Sequence, residues 1–349
     1  MSKNEILKRV GNIQQLAYVR AIEYSEGRSS GLKAFDIKNG KLSLRVMADK
    51  ALDVSEFSYA GVNINFLSKP GLQGLGHYDT NGAEAGRSIM GGLFFTAGLE
   101  HFGAPCNVDG VDYPMHGRMR STPAEHVSSD AFWNGEDYVL RVSGEMREAA
   151  LFGENLVLRR TIETLYGSKT FTLTDEFENQ AFRDEVMMLL YHINLGFPFL
   201  DEDTKFYIPT KKITPRNSDA EGHEADYNKM EAPKDNEPEY VFLHELKTEA
   251  NLDTQVLAVN PNLKLGLRIS WNAKYLPCFM QWKSIASGDY VVGLEPANSL
   301  VHGRKWYVDN NQELHKIKSF GREKNILQFT ILDGDKEIND AISAFEKKF

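Results

Sequence analysis

The sequence predicts an all-β protein, a large antiparallel β-sandwich with a few short helices. Two observations carry that expectation. Short apolar runs with strand alternation recur from about Val19 to Leu332, and turn residues rather than helical segments separate them. Strands joined by hairpins pair antiparallel, and so many strands fit two stacked sheets better than a small barrel. The pattern keeps one character throughout, so a single domain over residues 1–349 is expected, although the length would permit two.

The elements follow in order. Ser2-x-x-Glu5 has the form of a capping box, and Ile6, Leu7, Val10 and Ile13 recur at helical spacing, which predicts a short helix over 2–16. Leu32 to Ile37 and Leu42 to Val46 flank Lys38-Asn39-Gly40-Lys41, and Asn-Gly between such runs is a strong hairpin signal. Phe57 to Tyr59 and Val62 to Phe66 repeat the pattern around Ala60-Gly61. Tyr138 to Val142 and Leu156 to Leu165 come next. Thr170 to Phe177 then alternates threonines with Phe171, Leu173 and Phe177 across the turn Tyr166-Gly167-Ser168-Lys169. Later strands are Leu263 to Trp271, Phe279 to Trp282, Tyr290 to Leu294 and Ile326 to Leu332; Ile338, Ile342 and Phe345 predict a closing helix at about 336–347. The polar, acidic stretch Ser218 to Glu239, broken by Pro233 and Pro238, reads as an exposed loop, either a rim over a site or a plain surface excursion.

Composition excludes several functions. A net charge of −9 with no basic run argues against nucleic-acid binding. Cys106 and Cys278 are the only cysteines, which fits free thiols in a reducing compartment better than a disulfide framework. No apolar stretch approaches the ~20 residues that span a bilayer, and Met1 to Glu5 lacks a signal-peptide core, so a cytoplasmic protein off the membrane is expected. The sequence leaves the oligomeric state open, with an edge-strand homodimer as one candidate. Aromatic residues make up 11% of the chain; most should be core, but some supply flat faces of the kind sugars stack on.

The chemistry lies where polar residues interrupt the strand pattern. His192 ends the apolar run from Met187 in Tyr191-His192-Ile193-Asn194-Leu195-Gly196, and Glu295 ends the run from Tyr290 in Gly293-Leu294-Glu295-Pro296-Ala297-Asn298. Two strands delivering these groups to opposite sides of one pocket would suit general acid–base work on a neutral hydroxylated substrate. Glu295, ordinarily near ~4.3, is expected to be ionised, and His192, ordinarily near ~6.5, to gain proton affinity beside it. Around them stand the glycine-rich stretch Gly86 to Gly103 with Arg87 and His101, then Met115-His116-Gly117-Arg118-Met119-Arg120, then Gln281-Trp282-Lys283 and His302-Gly303-Arg304. Phosphate-loop and dinucleotide fingerprints, His-Glu-x-x-His, Cys-x-x-Cys and a serine-nucleophile elbow are absent from the sequence.

Together, Gly91-Gly92-Leu93 to Gly98-Leu99, His101-Phe102-Gly103, His116-Gly117-Arg118 and the His192 and Glu295 segments resemble the aldose-1-epimerase-related branch of the galactose-mutarotase-like superfamily, a branch long carried as a domain of unknown function. The resemblance runs from about residue 20 to 335. It implies a supersandwich with a sugar-binding cleft and no cofactor. It also implies His192 as the acid that protonates the sugar ring oxygen and Glu295 as the base at the anomeric hydroxyl. His116 and Arg87 are implied sugar ligands; beside the resemblance, His101, Arg118, His244, Lys283, Asn298 and Arg304 are further candidate substrate contacts. The chain departs from the pattern at Arg118, where mutarotases have a second glycine. It departs again at Asp49-Lys50 and Asp53, where the branch has Asp-Arg, and the sugar-binding aspartate has no clear counterpart.

The leading expectation is therefore an isomerase interconverting the anomers of a free sugar or sugar derivative. Two other readings fit the same residues. The sandwich can bind carbohydrate without turnover, or His101, His116, His192 and His244 can form a metal site for a sugar isomerase or lyase. Arg118, Lys283 and Arg304 would draw an anionic sugar if they shared a pocket, or else pair with the chain's many carboxylates. His77, His126, His223, His302 and His315 are expected at the surface or in structural roles.

Overall fold

Two antiparallel sheets stacked face to face form the molecule, in a computed structural model that describes residues 1–74, 76 and 81–349. The sheet that carries the site has ten strands in sequence. They are β1 (Tyr18–Glu23), β2 (Lys33–Lys38), β3 (Leu42–Met47), β4 (Asp53–Tyr59), β5 (Phe94–Leu99), β6 (Met188–Leu195), β7 (Thr210–Pro215), β8 (Tyr240–Leu246), β9 (Cys278–Ala286) and β10 (Asp289–Ala297). They lie in the order β1-β2-β3-β4-β5-β6-β10-β9-β8-β7, with a short strand Val62–Asn63 paired to β4. The second sheet has eight strands, from Glu125–Asn134 at one edge to Lys205–Tyr207 at the other.

Strand alternation sorts each β-strand's residues between two faces. On the site sheet Leu44, Phe57, Phe94, Tyr191, Ile193, Phe242, Phe279, Val292 and Leu294 point inward. There they pack with Leu140, Leu158, Phe171, Leu173 and Phe329 of the second sheet. The outer face carries a separate apolar layer that includes Met47, Phe95, Ala97, Met188, Leu190, Leu243 and Met280. β6 is buried on both faces, as the apolar run before His192 requires.

The hairpin at Asn39-Gly40 forms as the dipeptide predicts: Asn39 Oδ1 accepts from the backbone of Lys41 and Leu42, and Gly40 has φ +94°. The N-terminal segment is shorter than expected. Its capping box is present, but the helix α1 covers Lys3–Leu7 only, and Gly11-Asn12 breaks it before a single 3₁₀ turn at Ile13–Gln15. After the short helix α2 (Arg304–Asp309), the closing helix α3 spans Asp335–Lys348 and lays Ile338, Ala341 and Phe345 on Leu257, Val259 and Leu332 of the second sheet. The Ser218–Glu239 stretch is not a plain excursion, because it buries Ala220 and Met230 in the core. Among the described residues no helix is long and apolar enough to cross a membrane.

An ion network ties the sheets together behind β5 and β6. Arg160, wholly buried, reaches from the second sheet with Nε and Nη2 on Asp175 at 2.8 and 2.6 Å and Nη1 on Asp53 at 2.6 Å. Thr96 donates to Asp53 from both its backbone and its hydroxyl, at 3.0 and 2.7 Å. Asp53 is thus a core residue, placed by its charge partner rather than turned toward a ligand.

Candidate active site

The register between β6 and β10 decides the site. It pairs Leu190 with Ala297 and Ile193 with Leu294, so His192 and Glu295 stand directly opposite each other on the outer face. On the other side of β6, His192 is opposite Phe95 of β5. The two proton-transfer groups therefore approach from neighbouring strands, side by side, and not from opposite walls as the sequence suggested. Nε2 of His192 is 3.1 Å from Oε1 of Glu295.

That contact lies in a cavity of about 440 Å³, within the usual size of a small-molecule site. The His192 ring stacks on Phe95 with centroids 4.5 Å apart and meets the edge of Trp282 at 5.3 Å. Asn194, two residues on and on the same face, holds its Oδ1 2.5 Å from His192 Nδ1. The Asn194 amide NH₂ is committed to the carbonyls of His192 and Gly92. Its oxygen must therefore accept, which assigns the Nδ1 proton and leaves Nε2 facing Glu295. Gly293 makes the room: a Cβ there would lie 2.6 Å from Glu295 Oε1 and 3.1 Å from the Trp282 Cβ.

Two polar atoms on the cavity wall are buried without a hydrogen-bond partner among the described residues, Glu295 Oε1 and His116 Nδ1. The His192–Glu295 approach is thus a close contact rather than an aligned hydrogen bond. Buried polar groups ordinarily find partners, so orphans facing a cavity mark where a ligand's hydroxyls would bind. His116 reaches the cavity in a left-handed backbone conformation, φ +57°. The next residue must be glycine, since a Gly117 Cβ would fall 2.3 Å from the carbonyl oxygens of Gly98 and His101.

Burial reverses the protonation expected from the sequence. Removed from water, Glu295 is pushed up to about 8, helped by the nearby Glu239 carboxylate and opposed by Arg216. His192 is pushed down to about 4 by the same loss of hydration, against the hydrogen bond that it donates to Asn194. Desolvation is the largest cause of both shifts. His116 is likewise lowered by burial and by His192. The pair at neutral pH is uncharged, with its one proton on Glu295.

Several residues expected at the substrate stand elsewhere. Arg87 points into solvent with its side chain 78% exposed and pairs with Glu84, while its neighbours Gly86 and Ile89 line the cavity. His244 and Lys283 are one residue out of phase, since on β8 and β9 it is Val241 and Trp282 that face the cavity. His244 bonds Thr210 from the inner face, and Lys283 is held by the Asp226 carbonyl and by Glu231. His101 has its nitrogens against the Ala104 carbonyl and the Arg304 backbone N–H, at 2.9 and 3.3 Å. Arg118 pairs with Glu100, and Arg304 donates to the Glu100 carbonyl, so neither brings a free cation to the cavity. Asn298 clasps β6 through the Leu189 N–H and the Met187 carbonyl.

The four-histidine metal reading loses two of its ligands in this way, since His101 and His244 are turned elsewhere. Among the described residues no three His, Cys, Asp or Glu side chains converge as metal ligands. His302 stacks on Trp306 and His315 pairs with Glu323; His77 lies outside the described residues. Sequence reasoning missed the cavity's own charges. Arg216 and Glu239 meet at 3.6 Å, Trp282 donates to Glu239 at 2.8 Å, and Lys69 pairs with Asp289 at 2.5 Å. Strand parity offered a signal for Asp289, which falls in phase with Glu295 on β10; Trp282, Lys69 and Arg216 lie on other segments, where parity with Glu295 gives none.

The family model described as Domain of unknown function (DUF4432) matches residues 29–331. Solved structures share the fold. A protein of Klebsiella pneumoniae subsp. pneumoniae, provisionally named an aldose 1-epimerase, superposes with a TM-score of 0.90 at 21% identity, covering 97% of this chain and 90% of that one. A galactose mutarotase-like protein from Clostridium acetobutylicum gives 0.62 at 12% identity, with 90% and 99% covered. Galactose 1-epimerase from Lactobacillus acidophilus NCFM gives 0.56 at 12% identity, with 91% and 99% covered. The architecture is that of the galactose-mutarotase-like sandwich. No curated protein matches the chain.

Proposed function

We propose, for a chain that belongs to the DUF4432 family, an isomerase of the aldose 1-epimerase type that interconverts the anomers of a sugar with a free anomeric carbon. One observation supports this above the rest: an imidazole nitrogen and a carboxyl oxygen 3.1 Å apart on an aromatic-walled cavity.

The geometry suits the reaction. The ring oxygen and the anomeric hydroxyl are bonded to the same carbon, so an acid and a base must act at neighbouring points. Adjacent strands deliver that better than opposed walls would. In the resting form Glu295 carries the proton and His192 Nε2 carries a lone pair. Glu295 protonates the ring oxygen while His192 takes the proton of the anomeric hydroxyl, and the ring opens to the aldehyde. After rotation about C1–C2, the ring hydroxyl attacks the other face of the carbonyl. It returns its proton to Glu295 as His192 reprotonates the carbonyl oxygen, and the pair is restored. The acid and base are exchanged relative to the roles the family resemblance implies, a consequence of burial. Trp282 offers a flat face for the apolar side of a sugar ring, and His116 Nδ1 offers a polar partner for a hydroxyl.

Exchange NMR on a panel of free aldoses tests the reading. The native protein should accelerate anomer exchange, and Glu295→Gln and His192→Asn should each reduce kcat by about 10²–10⁴-fold. Acceleration that persists in both variants would remove the pair from the mechanism. Saturable binding of a sugar without exchange would favour a carbohydrate-binding protein instead.

A further inference from the structure

A second cavity, of about 600 Å³, lies over β2 to β4 on the same face of the site sheet and takes no part in the proton transfers. Its floor is polar and charge-balanced. Arg45 lies in a fork between Asp36, at 2.7 and 3.1 Å, and Glu56, at 2.5 Å, with Lys38 alongside. Arg45 also donates to the Tyr24 hydroxyl at 3.0 Å, and all three members of the fork keep exposed surface. Its rim is apolar: Phe197 is 72% exposed and Leu67 53%. Asn63 fixes the Phe197 backbone by donating to its carbonyl at 2.8 Å.

The two cavities adjoin. Phe66 lines both, and Gly288 and Tyr290 of the second bracket Asp289 of the first. A ligand matching both must show an apolar face and a rim of hydroxyls, carry no net charge, and extend past Phe66. A sugar ring has those properties; an anion would meet Asp36 and Glu56, and a purely apolar ligand would leave the fork unsatisfied.

We infer that the second cavity binds the adjoining ring of a reducing oligosaccharide whose terminal ring occupies the cavity at His192 and Glu295. The inference rests on the anomer-exchange reading, because a substrate held by its free anomeric carbon must carry any further ring outward from the first cavity.

Calorimetric titration separates the two proposals, since it reads binding whether or not turnover occurs. The probes are glucose against maltose, cellobiose and lactose, and galactose against β-1,4-galactobiose. At least one disaccharide should bind about tenfold more tightly than its own reducing-end monosaccharide. Arg45→Ala and Phe197→Ser should each abolish that gain and leave monosaccharide affinity within twofold, with melting curves confirming that the variants fold. If no disaccharide binds more tightly, or the gain survives both variants, the second cavity holds no sugar ring. Failure of anomer exchange with the disaccharide preference intact would overturn the catalytic reading alone.

Discussion

The Tyr191 hydroxyl donates to Asp175 Oδ2 at 2.7 Å in the core, while the next residue, His192, faces the cavity from the opposite side of β6. One strand thus has its catalytic candidate on one face and its anchor on the other. Asp175 is held in turn by Arg160, which also binds Asp53 and, at 2.9 Å, the Thr96 hydroxyl. Thr96 pairs with Tyr191, and Phe95 pairs with His192. The network therefore anchors β5 and β6 directly behind the two rings that stack in the site.

Removing Arg160 takes from two buried carboxylates, Asp53 and Asp175, the guanidinium that they share. Arg160→Met should cost about 3–5 kcal/mol, read as a lower midpoint in urea. The triple variant Arg160→Met, Asp53→Asn, Asp175→Asn should recover part of the loss, because its buried groups are no longer charged. No recovery would mean that the network contributes through packing alone.

Activity should follow a bell-shaped pH profile set by the pair rather than by either residue. Below about 4 His192 gains a proton and cannot act as base; above about 8 Glu295 loses its proton and cannot act as acid. A profile of kcat/KM from pH 3.5 to 9.5, with free aldose as substrate, checks both limbs. An acid limb near the ordinary histidine value of ~6.5 would show that burial does not govern the site.

The same shift has a stability consequence. Glu295 has a folded-state value raised to about 8 from an ordinary 4.5, so the folded protein holds a proton that the unfolded chain releases between those values. Its contribution is therefore greatest below 4.5 and is lost as pH rises toward 8. Glu295→Gln has nothing to release. Its stability relative to native should rise by up to about 1.4 kcal/mol per pH unit across that window, then level off. Paired urea melts at pH 5, 6.5, 8 and 9 measure the difference. A difference that stays flat with pH would contradict the raised value.

Arg87 and Trp282 separate the expected site from the observed one. Arg87→Ala, at an exposed side chain paired with Glu84 across one turn, should leave kcat/KM within twofold and stability within ~0.5 kcal/mol. Trp282→Ala removes a wall of the cavity and a donor to Glu239, and should raise KM by about tenfold or more. Steady-state rates for the two variants decide; a large loss in Arg87→Ala would restore it as a substrate ligand.

Much of the fold was legible because strand alternation and hairpin turns are local. Thr170 to Phe177 and the Asn39-Gly40 turn form as their residues require. Two of the strands that the sequence did not reveal have surroundings unlike the usual half-buried case. β5, Phe94–Leu99, is buried on both faces and sits among glycines, so it showed no alternation. Glu125–Asn134 is an exposed edge strand with no apolar face to signal it.

His192 and Glu295 could be picked out from the sequence as candidates, because ionisable groups ending apolar runs need a reason to be there. Which charges join them was a matter of phase and register. Lys283 lies one residue from Trp282 and His244 three from Val241, and in a strand any odd step crosses the whole thickness of the sheet. Periodicity assigns faces only relative to one another. The alignment of β6 against β10 and the closure of the loops over the outer face are long-range contacts, and they alone bring two distant side chains together and strip them of the water that would keep them charged.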